Sequence, residues 1–256
     1  MKIKAFTLSA CLLSSLPALA GSATPSFTQP ITPPAESAWS CRVAIYGWAE
    51  ALRGDMGVAG RVADVDLSFN DILKHMDMAF MGALEVGYNR WSFMADVMYA
   101  DISGSKDRGG AYVRVEEQQF LGNFIVAFEA MKTDACKFDV YAGARVNSIK
   151  ATLDLNDRIS PLFHGSSTET WVDPIIGARF QAQLPNNFFF RAVGDVGGFS
   201  VSSQFTWQAM AGFGYSFHEY GNLLLGYRAL GTDYTNGGFT YNLVAHGPII
   251  GYEFRF

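Results

Sequence analysis

The last ten residues, Gly247-Pro-Ile-Ile-Gly-Tyr-Glu-Phe-Arg-Phe256, restrict the fold of this chain more than any other stretch. At a period of two, Pro248, Ile250, Tyr252, Phe254 and Phe256 fall on one face, and Gly247, Ile249, Gly251, Glu253 and Arg255 on the other. One face is apolar and the other ends in charge. The pattern recurs most clearly at 205–217, where Phe205, Trp207, Ala209, Ala211, Phe213, Tyr215 and Phe217 alternate with Thr206, Gln208, Gly212, Gly214 and Ser216. Segments near 42–52, 78–88, 91–100, 117–129, 137–149, 171–184, 188–198 and 222–230 repeat it with an uncharged outer face, which brings the strand count to ten.

Composition narrows the class. Outside the extreme N-terminus there is no run of eighteen apolar residues, so membrane-spanning helices are not expected. With Gly 26 and Phe 21 both high and few apolar stripes of helical period, an all-β chain is favoured. The formal charge of −5 argues against nucleic acid as a partner, because phosphate binding requires clustered Lys and Arg. Residues 1–20 read as a secretory signal, with Lys2 and Lys4, an apolar run through Leu16, and cleavage after Ala18-Leu19-Ala20. Removing those two lysines takes the charge from −5 to −7. A lipoprotein box ending at Cys11 is the weaker reading, since the apolar run before it is short. Residues 21–40, with Pro25, Pro30, Pro33 and Pro34, read as a flexible lead-in to a domain over 41–256.

Tyr252, Phe254 and Phe256, alternating up to a terminal aromatic residue, resemble the β-signature of Gram-negative outer-membrane barrels. Trp171-Val-Asp-Pro-Ile-Ile-Gly-Ala-Arg179, Gly194-Asp-Val-Gly-Gly198 and Gly226-Tyr-Arg228 resemble motifs of small outer-membrane barrel proteins of unassigned activity. More distantly, the chain is similar to OmpA-like and OmpW-like barrels over roughly residues 42–256. The resemblance implies a closed, antiparallel, up-and-down transmembrane β-barrel of about ten strands, with eight or twelve as alternatives. It also implies an outer-membrane location, contact with membrane lipids and lipopolysaccharide, and recognition of the C-terminal strand by the barrel-assembly machinery. It implies no cofactor and no metal.

Connection lengths fit such a barrel. Short links fall near 89, 133, 186 and 219, longer ones at 53–77, 101–112, 150–170 and 231–238, and only 199–203 is shorter than its end should show. Pro174 and Pro248 interrupt strands, and both read as bulges near the outer rim. The loop at 53–77 reads as a short strand pair or a helical turn capped by Asn70, and Asp64 and Asp66 within it as solvated acids. Cys41 and Cys136 fall at one end, either as a disulfide or as two free thiols.

Three inward units, Gly143-Ala-Arg145, Gly177-Ala-Arg179 and Gly226-Tyr-Arg228, place a Gly beside room for an Arg. With Arg191 they face Glu85, Asp96, Asp173 and Asp195, forming either a charged constriction or a polar core of Arg–carboxylate pairs. A narrow or plugged pore of this kind predicts little conductance, rising when Arg145 or Arg179 becomes Ala. Surface binding by the loops at 53–77 and 150–170 is the alternative, and a lipid A-modifying hydrolase the weaker one. No catalytic residue is assigned. The omptin proteases carry an Asp-x-His pair where this chain has His75-Met-Asp77, and the His-x-Ser of lipid A deacylases matches only His164-Gly-Ser166, read here as lying in a loop.

Overall fold

The computed structural model describes residues 38–58, 60–108, 111–156, 163–218 and 221–256. The expected signal and most of the lead-in therefore lie outside the described residues. The elements run β1 (Trp39–Trp48), β2 (Ala51–Val58), β3 (Arg61–Leu67), α1 (Phe69–His75), β4 (Met76–Tyr88), β5 (Trp91–Arg108) and β6 (Ala111–Lys132). They continue as β7 (Cys136–Asn156), β8 (Phe163–Gln183), β9 (Phe188–Gly197), β10 (Phe205–His218), β11 (Gly221–Asn236) and β12 (Phe239–Arg255). β4 to β12 pair antiparallel in chain order, and β1 pairs with both β4 and β12. The expected closed barrel of ten strands is present, with β2 and β3 as an added hairpin.

Tight turns join the strands at one end because their residues tolerate positive φ. Asn186 and Asn187 adopt φ 59 and 63, as a two-residue primed turn requires, and Asn89 adopts φ 54. Trp39 packs on Tyr88 and Trp91 on Phe128, with ring centroids 4.7 and 4.9 Å apart, as an aromatic band at this end. The outer face above it carries exposed Phe93, Val126, Ile176, Phe213, Leu225, Ile250 and Phe254.

Four features differ from the sequence reading. The stretches at 101–112 and 150–170 are largely strand, because β5 to β8 reach 18 to 22 residues. About 9–11 residues cross a membrane, so these strands rise well beyond the outer apolar band. The link at 231–238 shrinks to Gly237 and Gly238, both with positive φ. α1 is capped by Ser68, not Asn70, because Asp71 at the third helical position closes a reciprocal capping box with Ser68. His164 lies on β8 rather than in a loop.

Neither proline makes a bulge. Pro174 pairs with Ala144 in unbroken register, and its carbonyl accepts from Gly198 just past the end of β9, where no partner strand needs its missing N–H. Pro248 keeps register with Tyr227 and accepts from Ala49 N–H at 2.9 Å. Lacking an N–H to return, it interrupts the ladder where β1 gives way to β2. Trp48↔Ile249 and Ala51↔His246 share one register across that break. His246 consequently lies on the outer face, hydrogen-bonded to Tyr227 at 2.6 Å.

Closure is complete only up to a height. β1 pairs with β4 from Trp39↔Tyr88 to Ile45↔Gly82, whereas β4 continues to Met76 along β5 alone. Above Ile45, β2 takes β3 as its neighbour on that side, so the seam opens beneath α1.

Among the described residues, Cys41 and Cys136 are free thiols. β4, β5 and β6 stand between their strands, roughly 19 Å of wall at about 4.8 Å per strand. A disulfide requires Cα atoms within about 7 Å. Gel mobility of the unfolded chain is expected to be the same with and without reductant, and a reductant-dependent shift of the monomer would contradict this placement.

Candidate functional site: the barrel interior

Because side chains alternate, every second residue of each strand projects into the bore, and these residues sort by height. In the half nearest the short turns they are charged. Arg179 on β8 reaches across to Glu85 on β4 with both terminal nitrogens, at 3.1 and 3.0 Å, and to Asp139 at 2.9 Å. Arg42 shares Glu85 from the other side. Arg191 on β9 donates to Glu253 on β12 at 3.0 Å and to Gln181 at 3.0 and 3.1 Å. Such paired donation fits the planar guanidinium and fixes each arginine in place. A cavity of about 180 Å³ remains among these groups.

At mid-height Arg145 is fully buried, donating to Asn123 and Thr206 at 2.8 Å each and to Asp195 at 2.7 Å. Tyr141 completes Asp195 at 2.9 Å. Arg228 donates to Gln208 at 2.6 Å, Tyr46 at 3.2 Å and Asp96 at 3.3 Å. The inward glycines do make room, but not chiefly for the arginines beside them. A side chain at Gly177 would meet the Tyr141 ring at 2.5 Å, so this glycine lets Tyr141 reach Asp195. One at Gly143 would meet the backbone of β6 at 2.2 Å.

Asp173 was expected among the arginines. Instead it accepts from Ser203 N–H and Oγ at 2.8 and 2.7 Å and from Trp171 Nε1 at 3.1 Å. It thereby folds the short 199–203 link inward over the end of β9, where Phe199 and Ser200 take positive φ. Asp173→Ala would leave those donors without their acceptor, at about 1–3 kcal/mol per buried group. Limited proteolysis is expected to cut the variant after the exposed Phe199. Resistance equal to wild type would show that Asp173 does not hold the link.

The upper half of the bore is mainly apolar, with Glu50, Gln119 and Asn147 buried among its apolar side chains. On one side Trp48, Met81, Met98, Leu121 and Leu230 pack with Ile72 of α1. On the other, Ile149, Trp171, Tyr234, Phe239, Tyr241 and Leu243 pack together, with Trp171 stacked on Tyr234 at 4.0 Å and 3°. Trp48 joins the halves, since the Arg228 guanidinium lies 5.0 Å from its ring centroid. α1 is secured by its cap, and hydrogen bonds from Ser68 hold the Asp71 carboxyl below its ordinary range. The His75 ring contacts the Asp71 carbonyl at 2.7 Å at the exposed end of the helix. Tyr252, Phe254 and Phe256 all face outward.

No family model matches the sequence, and no curated protein matches it. Among solved structures the chain is similar to the outer membrane protease OmpT of Escherichia coli. The likeness has a TM-score of 0.53 and 9% identity, covering 85% of this chain and 97% of that one. The fold is that of an outer-membrane barrel. The translocator domain of the autotransporter NalP from Neisseria meningitidis gives a TM-score of 0.39 at 13% identity, over 87% of this chain and 90% of that one. The N-terminal β-barrel domain of Pseudomonas aeruginosa OprF gives 0.35 at 11%, over 85% and 97%. At these identities the likeness concerns architecture alone.

Proposed function

We propose that this chain is an integral outer-membrane protein whose bore is closed by its own side chains, and that its role is structural rather than that of an open channel. The observation that carries this reading is the stacking of two different obstructions, an Arg–carboxylate mesh below and an apolar plug above, joined at Arg228 and Trp48. Membrane insertion is supported by the outward band of Phe, Ile, Val and Leu and by the aromatic residues at its short-turn end. The arrangement alters the conductance expected of single variants. In planar bilayers, wild type and Arg179→Ala should both be silent, because the upper plug survives the loss of the lower ties. Combining Arg179→Ala with Met98→Ala and Leu121→Ala should admit ions. An open wild-type channel, or full conductance from Arg179→Ala alone, would refute the two-obstruction reading.

The height of β5 to β8 favours a second role, display of a surface for binding. β9, at 10 residues, is less than half as long as β6, at 22, so the wall rises steeply on one side. Shortening the β5–β6 and β7–β8 hairpins down to the barrel rim should abolish binding to whole cells while heat-modifiable mobility persists. Unchanged cell binding would remove this role.

A further inference from the structure

Beyond Ile45 the outer face of β1 is bare. Among the described residues no atom lies within 4 Å of where a side-chain carbon on Gly47 would sit. A groove of about 620 Å³ opens there between β1 and the unpaired part of β4. Trp48, Met81 and Ile249 lie along it on the bore side, Ile250 and Leu225 on the outer side, and Leu73 of α1 above. Its volume falls in the range of small-molecule sites, about 300–1,000 Å³. Ile45 stands six residues from Trp39, roughly 15 Å of height for a tilted strand, so the groove occupies the upper part of an apolar band about 25 Å tall.

We propose that this groove binds one acyl chain of a lipid from the surrounding leaflet. The proposal rests on the membrane-spanning reading above. Ile250 and Leu225 belong to the same outward stripes as Phe254 and Phe213, so the groove opens sideways onto whatever covers those residues, while α1 caps it toward the barrel mouth. Among the described residues no charged side chain lines it and Trp48 Nε1 is buried with no partner, while Tyr46 turns its hydroxyl inward to Asp96 and Arg228. Water filling the groove would meet few of the two to four polar partners each molecule needs. An acyl chain gives apolar cover to the side chains that line the groove, Leu73, Met81, Leu225 and Ile250 among them. The missing N–H of Pro248 falls beside the groove where β1 gives way to β2, and Phe69 and Leu73 of α1 line its upper end.

Trp48 is the reporter. With Trp39, Trp91, Trp171 and Trp207 replaced by Phe, its emission is recorded in vesicles whose phosphatidylcholine is brominated in mid-chain. A companion protein lacking Trp48 carries Phe213→Trp on the outer face. Both tryptophans are expected to lose most of their emission, and Gly47→Leu should restore that of Trp48 alone. Quenching at position 213 with Trp48 unaffected would overturn the groove while leaving membrane insertion intact. Quenching at neither position in folded protein would overturn both. Should the tryptophan replacements prevent folding, native mass spectrometry from dioleoyl phosphatidylcholine vesicles decides. One retained lipid on wild type and none on Gly47→Leu is expected, and equal retention on the two refutes the site.

Discussion

Arg145→Ala is expected to destabilise the folded barrel by about 3–5 kcal/mol, the usual cost of removing one partner from a buried ion pair. Arg145 is wholly buried, and its removal leaves Asp195, itself buried, with the Tyr141 hydroxyl as a hydrogen-bond donor and the more distant charge of Arg228. Asn123 and Thr206 lose a donor in the same step. Chemical unfolding of vesicle-inserted protein measures the loss. Arg145→Met keeps much of the volume yet strands the same carboxylate, so it should lose nearly as much. Joining it to Asp195→Leu removes the stranded charge, and the pair should recover most of the stability, since well-packed apolar replacements of buried pairs are often close to neutral. If the double variant were no more stable than Arg145→Met, packing rather than charge would explain the loss. A loss below about 1 kcal/mol would mean that water reaches Asp195.

The partners of Arg145 explain what was and was not legible in the sequence. Its inward facing could be read, because alternation in 137–149 sets the parity of the strand. Its choice of Asp195 over the directly opposed Asp173 could not, since the choice depends on β9 ending early and Asp173 being drawn to Ser203. The closed sheet and the outward aromatic residues were legible because one face of each crossing segment carries no charge. Where that contrast disappears, so does the signal. Near Trp48, Met98 and Leu121 both faces are apolar, so no alternation marks the inner one. In the upper reaches of β5 and β8 neither face is apolar, so residues such as Ser103, Ser105 and Thr168 read as loop although they pair in register. The capping of α1 turned on a smaller point. Ser68 and Asn70 are both capable caps, but only Ser68 has an acid three residues on.

Trp48→Ala should cost about 3–5 kcal/mol, the range for emptying a large aromatic side chain from a packed interior. Trp48 is 3% exposed and touches three systems: the apolar plug, the guanidinium of Arg228 and the groove at the seam. The expected loss therefore has separable parts. Trp48→Leu restores apolar volume without an aromatic face, so what it fails to recover reflects the contact with Arg228, about 0.5–2 kcal/mol for such an interaction. Repeating the comparison in an Arg228→Met background should shrink that residue of the effect toward zero, because the cation is gone. An undiminished difference would show that the ring acts through shape alone. If the seam holds an acyl chain, the cost of Trp48→Ala should also depend on the host bilayer, being smaller where lipid can fill the vacated space than in a detergent with a short chain. That dependence follows from contact with the groove: Met81 lines it too and should share the dependence, whereas Met98, Leu121 and Leu230 of the plug do not line it and should lose the same stability in both environments.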